Sequence, residues 1–119
     1  MAQKYIIGDI VMYKNRIHTI IDISASNGYE LSYVRHPVSP VRLSGVPLTP
    51  EILEKNGWKK SLRPYSKYSW YRRKGYPTLN IRSENEILFY WGDHNENITT
   101  VHKLQHLLFG LNINSEMEV

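Results

Sequence analysis

The chain has 119 residues and no cysteine. That absence excludes disulfides, thiolate metal sites and a cysteine nucleophile. It also lacks any run near the roughly 20 apolar residues that a membrane-spanning helix needs. There is no glycine-rich phosphate loop and no G-x-S-x-G nucleophile elbow. Internal repeats and low-complexity tracts are absent as well. Met1 to Ile10 holds one lysine and a short apolar pair before Gly8-Asp9. This is not the pattern of a signal peptide, and a cytoplasmic protein is expected.

Acidic residues are missing from one long stretch. Residues 58–83 carry eight cations (Lys59, Lys60, Arg63, Lys67, Arg72, Arg73, Lys74, Arg82) and no carboxylate. Residues 1–57 are nearly balanced, with six basic side chains against five acidic. Residues 84–119 hold Lys103 against six acids (Glu84, Glu86, Asp93, Glu96, Glu116, Glu118). The overall charge of +4 therefore conceals a basic centre and an acidic C-terminal third. Such asymmetry is an argument about partners. Either the centre meets an acidic partner, or Arg72 and Arg73 pair internally with Glu84, Glu86 or Asp93.

What is present suffices for a core. Apolar residues make up 41% of the chain, above the range of disordered segments. Ile10-Val11-Met12-Tyr13 reads as a strand, Lys14-Asn15 as a tight turn, and Arg16 to Ile23 as a second strand rich in β-branched residues. Ser26-Asn27-Gly28 is a turn signal, because Asn and Gly tolerate positive φ, and Tyr29 to Val34 reads as a third strand. Led by Gly8-Asp9, these strands suggest an SH3-like β-meander. Pro37, Pro40 and Pro47 then block regular ladders.

Thr49 is a good N-cap, Pro50 suits the first helical position, Glu51 favours the positive end of the helix dipole, and Gly57 offers a stop. A short helix of two turns is expected there. Lys67 to Arg73, Tyr76 to Arg82 and Glu86 to Trp91 read as a second, three-strand meander. In the last of these, Ile87, Phe89 and Trp91 share one face by period two. Gly92 to Asn97 reads as a polar loop. Thr99 or Thr100 caps a final amphipathic helix, whose Val101, Leu104, Leu107, Leu108 and Leu111 fall on one arc. A frayed or loosely docked tail follows from Asn112. The expectation is an α+β fold in one domain, 1–119. Within it, residues 1–45 are β-rich, residues 46–111 run helix-meander-helix, and residues 112–119 form the tail.

The basic stretch is also aromatic. Trp58, Tyr65, Tyr68, Trp70, Tyr71 and Tyr76 lie within 58–76 and interleave with the cations. Cations follow phosphates, and bases stack on aromatic faces, so the mixture suits single-stranded nucleic acid. By strand alternation Ser69, Tyr71 and Arg73 point one way, and Tyr68, Trp70 and Arg72 the other. One face would carry a stacking platform while the other packs. The candidate nucleic-acid-binding residues are Lys59, Lys60, Lys67, Tyr68, Trp70, Tyr71, Arg72, Arg73 and Lys74. Tyr and Trp are also ordinary strand residues, and Lys and Arg also protect edge strands. Tyr and Arg are enriched in protein interfaces too, which leaves an acidic protein surface as the alternative partner.

Catalytic and metal constellations fail in turn. His102 and His106 stand at i, i+4, but Lys103 occupies the place of a zincin's glutamate, and no third ligand is identifiable. Both are expected outside the apolar arc of the helix. Asp93 to Asn97 begins like a calcium loop, but Ile98 replaces its glycine and Leu104 its closing glutamate. Asp9 is expected to shape the turn into the first strand, and His18 to be a half-buried structural residue. Asp22 and Glu30 form no readable acid pair. No enzymatic role and no cofactor is expected.

Two stretches carry a resemblance. Val46-Pro47-Leu48-Thr49-Pro50-Glu51-Ile52-Leu53-Glu54-Lys55-Asn56-Gly57-Trp58 and Val101-His102-Lys103-Leu104-Gln105-His106-Leu107-Leu108-Phe109-Gly110-Leu111 together resemble the helices of small uncharacterised proteins of Bacteroidetes genomes, prophages and phages. In that family an Asn commonly follows the Gln, where this chain has His106. An acidic tail is typical, and Glu116 and Glu118 agree with it. The resemblance implies a bacterial cytoplasm and a mobile-element setting; the expectation of a small binding or accessory module rests on the basic-aromatic segment. The resemblance implies no catalytic residues.

Overall fold

The computed structural model describes residues 5–24, 28–61, 68–83, 85–91 and 94–119. The chain divides into two compact units, Met1–Val46 and Pro47–Val119. Their secondary structure is α+β: two antiparallel sheets, one short helix and one longer C-terminal helix.

In the first unit, β1 (Ile10–Tyr13), β2 (Arg16–Ile23), β3 (Tyr29–Leu31) and β4 (Ser44–Gly45) form a sheet of order β3-β2-β1-β4. Lys14 and Asn15 both adopt positive φ, 49° and 62°. A two-residue hairpin loop needs that backbone to match the strand twist. β3 is shorter than its sequence suggests and is followed by Tyr33 at φ 61°. Tyr5, Val11, Tyr13, Ile20, Tyr29, Leu31, Val38 and Leu43 form this unit's core. Asp9 is buried, and its Oδ2 accepts from the Ile6 amide at 2.9 Å. His18 is half-buried, and its Nδ1 meets the Ser32 carbonyl oxygen at 2.8 Å. That carbonyl can only accept, so Nδ1 carries the proton.

The second unit begins with α1 (Pro50–Lys55). Thr49 Oγ1 accepts from the Ile52 amide at 3.2 Å, Pro50 stands in the first turn, and Gly57 follows at φ +96°. Five strands then run as an unbroken antiparallel series: β5 (Lys59–Ser61), β6 (Ser69–Arg72), β7 (Thr78–Ser83), β8 (Glu86–Trp91) and β9 (His94–Asn97). The expected three-strand meander is its middle. β5 and β9 add an edge on each side, and β9 stands at 94–97 in place of the polar loop expected from Gly92; Gly92 and Asp93 lie outside the described residues. Neither edge has strand-forming composition; each is held by pairing, β5 with β6 and β9 with β8.

α2 (Val101–Gly110) closes the unit. Its buried stripe is Val101, His102, Leu104, Gln105 and Leu108, while Leu107 and Leu111 are only partly buried. The buried arc is thus shifted toward His102 and Gln105, and His102 is not the surface residue the sequence suggests. The residues that follow account for some of this shift: Gln105 Nε2 donates to the Ser115 carbonyl at 3.3 Å. The tail also returns to α1. Asn56 donates to the Glu118 carbonyl (2.7 Å) and accepts from the Glu118 amide (2.8 Å), and Lys55 Nζ donates to the Val119 oxygen (3.0 Å). Among the described residues no helix is long and apolar enough to cross a membrane.

Candidate nucleic-acid interface

Strand alternation gives the five-stranded sheet two chemically different faces. Tyr71, Leu79 and Phe89 lie in register across β6, β7 and β8, Ile87 shares their face two residues before Phe89, and all four are buried. Leu53, Ile98, Val101, Leu104 and Leu108 are buried in the same unit. This is the apolar face. The reverse face carries Trp70 and Arg72 of β6, Thr78 and Asn80 of β7, and Leu88 and Tyr90 of β8; Arg82 stands where the β7–β8 register shifts and reaches this side through its contact with Tyr68. Lys59 of β5 is the partner of Arg72. This is the aromatic face.

Trp70 and Tyr90 approach across β7, with ring centroids 5.4 Å apart and planes tilted by 34°. Both rings are half-buried. Tyr68 is 38% exposed, and the Arg82 guanidinium lies over its ring, 4.9 Å from the centroid. Arg82 Nη1 also meets Glu86 Oε1 at 3.3 Å, with both side chains well exposed. An exposed pair across a hairpin is worth only about 0.2–1 kcal/mol, so it holds neither partner firmly. Lys59 and Arg72 are exposed side by side. The face thus presents three aromatic rings, Tyr68, Trp70 and Tyr90, with three cations at its margins, Lys59, Arg72 and Arg82.

The other candidates lie elsewhere. Tyr71 is 4% exposed on the apolar face. Burial pushes its phenol above the usual tyrosine range, and the carboxylates of Glu54 and then Glu51 push in the same direction. Lys60, opposite Tyr71 in register, is exposed on the edge strand. Lys74 is exposed in the turn before Gly75. Lys67 lies outside the described residues.

Arg73 belongs to a separate cluster. Its guanidinium carbon stands 3.8 Å from the Tyr76 ring centroid and 5.2 Å from that of Trp58. Those two rings meet edge-on at 5.3 Å, and Trp58 Nε1 donates to the Pro77 carbonyl at 3.1 Å. Trp58 is 1% exposed. Arg73 also borders a cleft lined by Lys55, Asn56, Gly57, Glu116 and Glu118, which the tail itself fills along one side. Among the described residues neither Arg72 nor Arg73 forms an ion pair.

Sequence reasoning missed Tyr90, Asn80 and Arg82 as members of the aromatic face. The signal for Tyr90 was present: if Ile87 and Phe89 face inward, Leu88 and Tyr90 face the other way. Trp91, grouped by that same period with the inward residues, is 38% exposed at the strand end. On α2 the His102 and His106 rings meet edge-on at 5.7 Å. Among the described residues no three His, Asp or Glu side chains gather as a metal-holding group. No family model, curated protein or solved structure matches this chain.

Proposed function

We propose that the chain is a small non-enzymatic binding module that takes single-stranded nucleic acid on the aromatic face of the β5–β9 sheet. One observation carries the reading: three rings and three cations share that face while the reverse face is apolar and buried. Stacking on rings is tolerant of sequence because every base has a π-face, and the cations follow the backbone. Tyr68, Trp70 and Tyr90 supply the rings, and Lys59, Arg72 and Arg82 the phosphate contacts. Lys60 and Lys74 stand at the rim and strengthen the field. Arg73 and Tyr71 serve the fold. The first unit's β-meander, with a fourth strand on its β1 edge, acts as an SH3-like scaffold. The setting in a phage or mobile element rests on the resemblance of the two helices alone.

The test is fluorescence anisotropy of a labelled single-stranded oligonucleotide. Three phosphate contacts on a single strand predict a fall in affinity of about 20-fold between 50 and 200 mM salt. Replacing Lys59, Arg72 and Arg82 together by glutamine should flatten that dependence. Absence of binding at the lower salt refutes the proposal.

Docking of an acidic protein is the second reading. Phe109 on α2, 68% exposed, favours it. Trp58, the alternative apolar anchor for that reading, is withdrawn into the unit. Binding to a defined protein with weak salt dependence, and no oligonucleotide binding, would select it.

A further inference from the structure

We infer that Asn80 is a base-reading group, and that the aromatic face holds one specific pocket, for adenine, between Trp70 and Tyr90. The inference rests on the proposal that this face binds single strands, and it concerns which base is preferred.

Asn80 sits on the central strand β7, where Trp70 is its register partner on one side and Leu88 on the other. It is 0% exposed. Among the described residues neither its side-chain oxygen nor its nitrogen has a hydrogen-bond partner. A buried amide of this kind offers two donors and an accepting oxygen, and folding leaves it costly when they are unused. Leucine has the same branching and no such cost. An asparagine in the middle of the sheet therefore works against stability, which is the pattern of a residue kept for a ligand.

The surroundings define that ligand. The Trp70 and Tyr90 rings come from β6 and β8 and meet over β7, whose residues on that face are Thr78 and Asn80. A flat ring held between two others needs roughly 7 Å between the outer planes, from two van der Waals contacts. The two rings stand at 5.4 Å and are tilted rather than stacked. Parting by a small side-chain rotation, they would admit one planar base, with the Asn80 amide at its edge. The amide pairs a donor with an acceptor. Every unpaired base offers such a pair on its Watson–Crick edge, but adenine alone offers one on its outer edge as well, N6 beside N7, where guanine has two acceptors and thymine only O4; its two fused rings also cover both side chains. Asparagine paired to adenine in this bidentate way is a recurrent mode of base reading.

The test compares anisotropy titrations of single-stranded oligo-dA and oligo-dT of equal length on the wild type, Asn80→Leu and Asn80→Ala. Circular dichroism melting is recorded for each variant. The wild type should prefer oligo-dA by about tenfold. Both variants should bring the ratio near one, chiefly by losing affinity for oligo-dA, with the salt dependence set by Lys59, Arg72 and Arg82 remaining, and Asn80→Leu should melt at a higher temperature than the wild type. Asn80→Ala carries the result if the leucine overfills the site. Equal binding of the two oligonucleotides by the wild type, or an unchanged ratio in a folded variant, overturns the inference and leaves the general single-strand reading standing. Failure of both oligonucleotides to bind overturns both.

Discussion

The rings of Trp70 and Tyr90 meet at 5.4 Å although their strands are not neighbours, because β7 runs between β6 and β8. Each ring leans over the central strand. The contact gives the aromatic face a continuous ring surface where a sheet would otherwise present separate side chains.

Removing one of these rings should weaken binding without unfolding the protein. Trp70→Ala is expected to lose about 1–3 kcal/mol of single-strand affinity, roughly 5- to 150-fold. Leu79→Ala, one position away on the buried face, should show the opposite pattern. It loses about 2–5 kcal/mol of stability as a core truncation, with affinity unchanged while the protein stays folded. Anisotropy and urea denaturation of both variants check the pair.

Gly57 is fixed by two independent constraints. Its φ of +96° is strained for any residue with a Cβ, and an added Cβ would stand 3.2 Å from Arg73 Nε. Gly57→Ala should therefore cost on the order of 1–2 kcal/mol from the backbone alone. It should also disturb the packing of Arg73 on Tyr76 and Trp58. Chemical denaturation reads the first effect, and tryptophan fluorescence the second.

Tyr71 sets an alkaline limit. Its phenol titrates above the ordinary value of 10.0 in the folded protein. Below that pH both folded and unfolded states keep the proton, and the group has no effect on stability. As pH rises through 10, the unfolded chain releases its proton while the folded one retains it, so stability falls. Tyr71→Phe should flatten this decline, which denaturation midpoints between pH 8 and 11 would show. An equally steep decline in the variant would count against the assignment.

Asn56 holds the tail at Glu118, between the Gln105 bond to Ser115 and the Lys55 bond to Val119. Asn56 makes both hydrogen bonds to the Glu118 backbone and a further one to the Ile52 carbonyl at 2.7 Å. Asn56→Ala should speed amide exchange at Glu118 markedly. It should lower global stability by only about 0.5–1.5 kcal/mol for each bond lost, and less where water replaces the partner. Hydrogen–deuterium exchange resolves the two effects.

Much of the fold could be read from the chain, for identifiable reasons. The Thr49-Pro50 cap and the Gly57 stop are local chemistry, and the helix begins and ends as they dictate. The Lys14-Asn15 turn and the central strands follow from turn type and β-branched composition. β5 and β9 were not legible. Lys59-Lys60-Ser61 and His94-Asn95-Glu96-Asn97 have little strand propensity, and they become strands only because a neighbour offers a free ladder. His102 and Gln105 were hidden for a related reason. Their burial depends on which side of α2 the rest of the unit covers, and the periodicity of its leucines points elsewhere. On the candidate face, alternation separated Trp70 from Tyr71 correctly in direction. The meeting of Trp70 with Tyr90 required knowing that β8 lies two strands from β6.

The most direct measurement is a chemical-shift titration of the isotope-labelled protein with a single-stranded oligonucleotide. The account predicts that the Trp70 indole N–H, the backbone amides of Thr78 to Arg82 and those of Leu88 and Tyr90 shift together, with the amides of α2 unmoved. Shifts gathered instead around Phe109 or the first unit, with the Trp70 indole unchanged, would contradict it.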